Sequence, residues 1–127
     1  MCVINNYSEV LKNMKLSNQM KKILLALKDE KEENDKVVSG LNVETIATKI
    51  EGESVLYRPS WSNKDQLKNK KSVSYRRSLK RLCEEGLVNE STDYVTNRYS
   101  LSPKGGEKAE ELRTEIQNYV NEWNRFL

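Results

Sequence analysis

Apolar residues recur along this chain mostly with helical spacing. Met20, Ile23, Leu24 and Leu27 stand at i, i+3, i+4 and i+7 behind Ser17, a good N-cap, so the spacing predicts a helix with one buried face. Upstream, Tyr7, Val10, Leu11 and Met14 predict a short helix that breaks near Leu16. Val43, Ile46, Ala47 and Ile50 share one face of a two-turn helix, which Asn42 caps and Gly52 stops. A further helix is predicted to open at Ser72, with Tyr75, Leu79 and Leu82 inward and Gly86 supplying the left-handed residue that ends it. Strand-like patterns are short. Val37, Val38 and Leu41 predict a small strand, while Leu87-Val88 and the alternating Tyr99 and Leu101 predict a two-stranded ribbon.

After Pro103 and Gly105-Gly106 the chain is predicted helical to its end. Ala109, Leu112, Ile116, Tyr119, Trp123 and Phe126 follow one another at steps of 3, 4, 3, 4 and 3, the heptad seam that two paired helices require. Leu112, Ile116, Tyr119, Trp123 and Phe126 are therefore the expected dimerisation residues. Between Ile50 and Ser72 lies a connection of about twenty residues that fits no helical period, since Pro59 bars a regular helix across its position. Ser62 offers a cap for a short helix through Leu67.

A chain of 127 residues with 36% hydrophobic content supports one core. No apolar run exceeds Ile23 to Leu27, far short of the roughly 20 residues a membrane helix needs, so no membrane association is expected. Cys2 and Cys83 cannot make a disulfide framework, and the absence of histidine removes the ordinary zinc spacings. The expectation is a cytoplasmic protein with no metal and no cofactor. There is also no phosphate-cradling glycine loop with its lysine and no serine elbow, so no enzymatic activity is expected.

The net charge of +3 conceals a strong asymmetry. From Lys64 to Leu82 eight basic residues face one acid, a local charge of +7, while the remainder of the chain sums to −4. Affinity for DNA depends on local phosphate neutralisation and counterion release, so such a concentration on one predicted helix points to nucleic acid. The face opposite Tyr75, Leu79 and Leu82 carries Ser74, Arg76, Arg77, Lys80 and Arg81, with Lys70, Lys71 and Ser72 at its start. Arg76 and Arg77 are the candidates for reading bases, because a guanidinium bonds guanine O6 and N7 in pairs; Lys70, Lys71, Lys80 and Arg81 are the candidates for phosphates. Arg98 on the ribbon is the candidate for the adjacent minor groove or its phosphates, with Asp93 near the tip opposing it.

In its residues the chain resembles the MarR/PadR-like winged-helix regulators. Leu79-Lys-Arg-Leu-Cys-Glu-Glu-Gly-Leu-Val88 is similar to the end of their recognition helix running into the first wing strand. Arg98-Tyr-Ser-Leu-Ser-Pro-Lys-Gly105 is similar to their second strand and the turn into the last helix, and Val43 to Ile50 to their second helix. The resemblance implies a mainly α fold with a small β-ribbon wing: a winged helix-turn-helix over 17–103, an N-terminal helical arm over 1–16 and a C-terminal dimerisation helix over 104–127. It implies a homodimer on double-stranded DNA, with recognition helices roughly 34 Å apart or a multiple of that, acting as a sequence-specific transcriptional repressor. A replication or partition initiator and a protein-binding adaptor are the alternatives. The chain departs from the family at 51–71, where a turn of a few residues is usual. Either this segment is an insertion, the preferred expectation, or Ser62 to Leu67 is the second helix. Its Arg58, Trp61, Lys64 and Lys68 would add phosphate contacts, or Tyr57 and Trp61 would instead cover the core.

Overall fold

The computed structural model describes residues 15–33, 40–92 and 96–127, side chains of 31–33 excepted. The expected N-terminal helix through Tyr7 to Met14 and the strand residues Val37 and Val38 lie outside them. Helix α1 (Asn18–Glu33) starts where the Ser17 hydroxyl accepts the Met20 amide at 3.1 Å. Helix α2 (Val43–Glu51) starts where Asn42 Oδ1 accepts the Thr45 amide at 2.9 Å. Helix α3 (Asn69–Glu84) ends in a Schellman motif: the Gly86 amide reaches Cys83 O and the Leu87 amide reaches Leu82 O, both at 3.0 Å, with Gly86 at φ 76°. Leu82 and Leu87, the apolar pair that accompanies such a cap, are fully buried.

The 51–71 connection contains no helix at Ser62 to Leu67, so the alternative in which that stretch is the second helix fails. A 3-10 turn (Glu53–Val55) leads into strand β1 (Leu56–Tyr57), which pairs antiparallel with β2 (Gln66–Leu67). This hairpin delivers the chain into α3 a turn earlier than the pattern implied. The Lys68 amide is tied to Val55 O at 2.9 Å, so helical winding begins at Asn69 and Ser72 sits inside the helix rather than opening it.

Strands β3 (Val88–Thr92) and β4 (Asn97–Leu101) form the ribbon in the register Val88↔Leu101 to Thr92↔Asn97. Leu41 joins it as an isolated bridge, exchanging hydrogen bonds of 2.9 and 2.8 Å with Tyr99. The close approach explains Gly40: at φ 108°, a Cβ there would stand 2.7 Å from Tyr99 O. The order helix, bridge, helix, helix, ribbon is that of a winged helix-turn-helix, here with a hairpin inserted in the turn.

Helix α4 (Pro103–Trp123) begins before the two glycines rather than after them. Ser102 is its N-cap, accepting the Gly105 amide at 2.9 Å and donating to Gly86 O at 2.6 Å, and Pro103 takes the first helical position. Its first half packs on α1, with Ala109 and Leu112 in the core and Arg113 bonded to Asp29 at 2.9 Å. Leu112, expected in a dimer seam, is therefore a core residue at 4% exposure. The core gathers Ile23 and Leu24 from α1, Ile46 from α2, Tyr75, Leu79 and Leu82 from α3, and Leu87 and Tyr99 from the ribbon.

Adjacent glycines test this geometry. A Cβ on Gly105 would fall 1.8 Å from the backbone oxygen of Leu87, whereas one on Gly106 meets nothing within 4 Å. Gly105→Ala should cost about 3 kcal/mol, and Gly106→Ala should stabilise by about 0.5–1 kcal/mol. Urea midpoints of the two variants check this, and equal effects would contradict the packing.

Candidate nucleic-acid interface

Helix α3 is held by its apolar stripe and by a polar clamp at each side. Tyr75, Leu79 and Leu82 are fully buried. On one side Glu51, the last residue of α2, accepts from Tyr75 Oη at 2.5 Å and from Lys71 Nζ at 2.7 Å. On the other, Gln19 of α1 accepts through Oε1 from the hydroxyls of Ser74 at 3.1 Å and Ser78 at 2.6 Å. The Lys71 bond, then the Tyr75 bond, hold the Glu51 carboxyl below its usual range. Burial, reinforced by Glu51, pushes the Tyr75 phenol upward.

These clamps revise the expected contact face. Ser74, expected on the outer face, points at α1, and Lys71 is held by a carboxylate. Ser72 is half-buried and accepts from Arg76 Nε at 3.1 Å. Arg81 remains largely exposed, yet pairs with Glu85 at 3.3 Å. Lys70, Arg76, Arg77 and Lys80 are exposed, and among the described residues no acidic side chain pairs with them. Four of the six α3 cations thus stand ready for another partner. Val73 lies among them at 55% exposure, one turn from Lys70 and from Arg77. Sequence reasoning omitted it, although helical spacing puts it opposite Tyr75; on a groove-reading face its methyl groups suit a thymine C5-methyl.

The ribbon offers less charge than expected. Arg98 is half-buried and donates from Nη1 to Gly40 O at 3.3 Å, so it braces the turn before α2 instead of reaching outward. It is also the only basic residue between Val88 and Leu101. A groove of about 500 Å³ separates α3 from the ribbon, lined by Arg76, Lys80, Cys83, Glu84, Glu90 and Tyr99. Its two carboxylates disfavour a phosphate between helix and wing. Glu90 accepts from Tyr99 Oη at 2.9 Å, and burial with this bond raises the Tyr99 phenol to about 12. Burial, then Glu90 and Glu84, raises the Cys83 thiol, which keeps it protonated and poorly nucleophilic.

Beyond Leu112 the seam of α4 leaves the body. Ile116, Tyr119, Val120, Trp123 and Phe126 are 41–65% exposed, and the rings of Tyr119, Trp123 and Phe126 form a ladder with centroid spacings of 6.2 and 5.8 Å. Val120, absent from the heptad reading, widens this apolar strip. No membrane-length apolar helix and no cluster of three potential metal ligands occur among the described residues.

No family model matches the chain, and no curated protein does. Among solved structures, the crystal structure of SSV1 F-93 aligns at 20% identity with a TM-score of 0.47, over 86% of this chain and 94% of that one. A likeness of that grade leaves the functional reading to the geometry.

The phenols predict an alkaline limit to stability. A raised pKa means that the folded state favours the neutral phenol, so the stabilisation is complete below pH 10 and is withdrawn as pH rises from 10 towards the folded value. Urea midpoints measured between pH 8 and 11.5 should fall above pH 10, and fall less steeply in Tyr99→Phe. Parallel curves for the two proteins would refute the assignment.

Proposed function

We propose that this chain binds double-stranded DNA by laying the outer face of α3 in the major groove, and that it acts as a homodimeric, sequence-specific transcriptional regulator of the MarR/PadR type. The carrying observation is the bare cationic face: Lys70, Arg76, Arg77 and Lys80 stand on a helix whose opposite face is fully buried. Solubility alone does not require it. Lys70 and Lys71 occupy the first turn with no acidic residue, where the helix macrodipole already disfavours positive charge. That local cost is understandable if the helix end meets phosphate. Arg76 and Arg77 take the base-reading role in this proposal, Lys70 and Lys80 the phosphate role, and Val73 packs against the groove floor. Lys71 and Arg81 serve chiefly to fix the helix, through Glu51 and Glu85. No catalytic role is assigned to any side chain.

The dimer half of the proposal rests on the distal part of α4. Large apolar side chains exposed contiguously on one helix mark an association surface, and a second copy offers the matching heptad strip. A two-fold pair would set two α3 helices on a palindromic site at roughly 34 Å or a multiple of that.

Two measurements test the halves separately. The four α3 cations with no acidic partner among the described residues should contribute a slope of about −4 per protomer to log affinity against log salt. Arg77→Ala with Lys80→Ala should make the measured slope shallower by about 2 per protomer, read by fluorescence polarisation on a labelled duplex; salt-independent binding would defeat the mechanism. Tyr119→Ser with Trp123→Ser should convert a dimer to a monomer in sedimentation while the circular dichroism spectrum stays helical, because neither ring belongs to the core. A monomeric wild-type chain at micromolar concentration would remove the dimer.

A further inference from the structure

The hairpin inserted ahead of α3 is built with more care than a tolerated insertion needs. Val55 and Leu67 root it in the core at 2% and 7% exposure, and Pro59 is buried. Arg58 Nε bonds Asp65 Oδ1 across the loop at 3.0 Å. The tip is turned by the Ser62 amide on Pro59 O at 3.1 Å, and the Ser62 hydroxyl then accepts the Lys64 amide at 3.0 Å. On this ordered frame Trp61 is 78% exposed, the most exposed aromatic side chain among the described residues. A tryptophan held in water on a braced loop is an unusual expenditure of apolar surface.

Charge at the same place narrows its partner. Arg58 is neutralised by Asp65, but Lys64 and Lys68 are exposed, and no acid pairs with either among the described residues. Lys68 is the residue immediately before α3 and stands two positions from Lys70, so it joins the hairpin to the start of the cationic helix. The ribbon, by contrast, presents Glu90, and its Arg98 is turned inward. Among the described residues, the outward positive charge flanking α3 lies on the hairpin side rather than on the ribbon.

We infer that the hairpin 56–67, with Lys68 at its exit, is a second DNA-contacting prong, in which Lys64 and Lys68 bind backbone phosphates beside the groove entered by α3 and Trp61 packs its ring on the sugar edge of that backbone. This inference rests on the DNA-binding reading above. Such contacts position the protein without reading sequence. Indole also has one N–H, which suits a phosphate oxygen at the rim of a sugar contact.

The test uses the full-length protein and labelled duplexes of two unrelated sequences, with affinity measured at several salt concentrations. Lys64→Ala with Lys68→Ala should reduce the salt slope by about 2 per protomer, equally on both duplexes. Trp61→Ala should weaken binding about tenfold with the slope unchanged, the size expected for one buried aromatic contact. In protein labelled with 5-fluorotryptophan, the fluorine resonance missing from Trp61→Phe should shift on duplex addition. All three side chains are exposed, and thermal midpoints verify that the variants fold. If the wild type binds no duplex, this inference and the DNA-binding reading fall together. If Arg77→Ala with Lys80→Ala weakens binding while either hairpin change leaves affinity and slope untouched, the hairpin inference alone falls. A loss of self-association in Trp61→Ala without a change in protomer affinity also overturns it, since the tip would then contact a second copy.

Discussion

A helix with six cations in sixteen residues must be held to its protein by something other than the face that carries them. In α3 that hold is a narrow stripe of three fully buried side chains, flanked by Glu51 on one edge and Gln19 on the other. The stripe supplies the apolar driving force, and the flanking acceptors fix the rotation of the helix about its axis. Each acceptor takes two donors from α3: Glu51 takes Tyr75 and Lys71, and Gln19 takes Ser74 and Ser78. Rotation of α3 by a few tens of degrees would break both clamps, so the direction in which Arg77 and Lys80 point is determined by two residues from α1 and α2.

The acids that accompany the basic segment stand at its edges. Glu51 and Glu85 each take one cation, at the beginning and the end of α3, and Asp65 takes Arg58 in the hairpin. The middle of the face is left bare. The same economy shapes the ribbon, which is principally structural. Its Tyr99 is both a bridge partner for Leu41 and a buried ring, its Arg98 braces the turn at Gly40, and Glu90 is engaged by the Tyr99 hydroxyl. Among the described residues of the ribbon, these side chains are engaged within the protein rather than turned outward.

Helix α4 has two characters along one uninterrupted length. Up to Leu112 it completes the core and is cross-linked to α1 by Arg113 and Asp29; beyond, it carries its aromatic ladder into solvent. Removing the whole helix would expose the core as well as delete the ladder, which is why point substitutions in the distal half are the informative ones. The change of character happens without any change in sequence period.

Much of this was legible in one dimension. The buried faces of α1, α2 and α3, the Asn42 cap, the Gly86 stop and the concentration of charge before Leu82 all follow from spacing, because helical periodicity and end-capping are decided by residues three or four apart. Pattern alone could not reveal which polar side chains on the flanks of α3 are already engaged. Ser74 finds Gln19 across 55 residues, Lys71 finds Glu51 across 20, and Arg98 finds Gly40 across 58. Nor did pattern reveal the hairpin, whose strands of two residues are too short to show alternation, or the point along α4 where the body ends. The sequence by itself determined the elements and the face each would bury, through local sterics and apolar spacing. Only the tertiary structure decided which charges and aromatic rings remain without an intramolecular partner, because that depends on what distant segments bring alongside them.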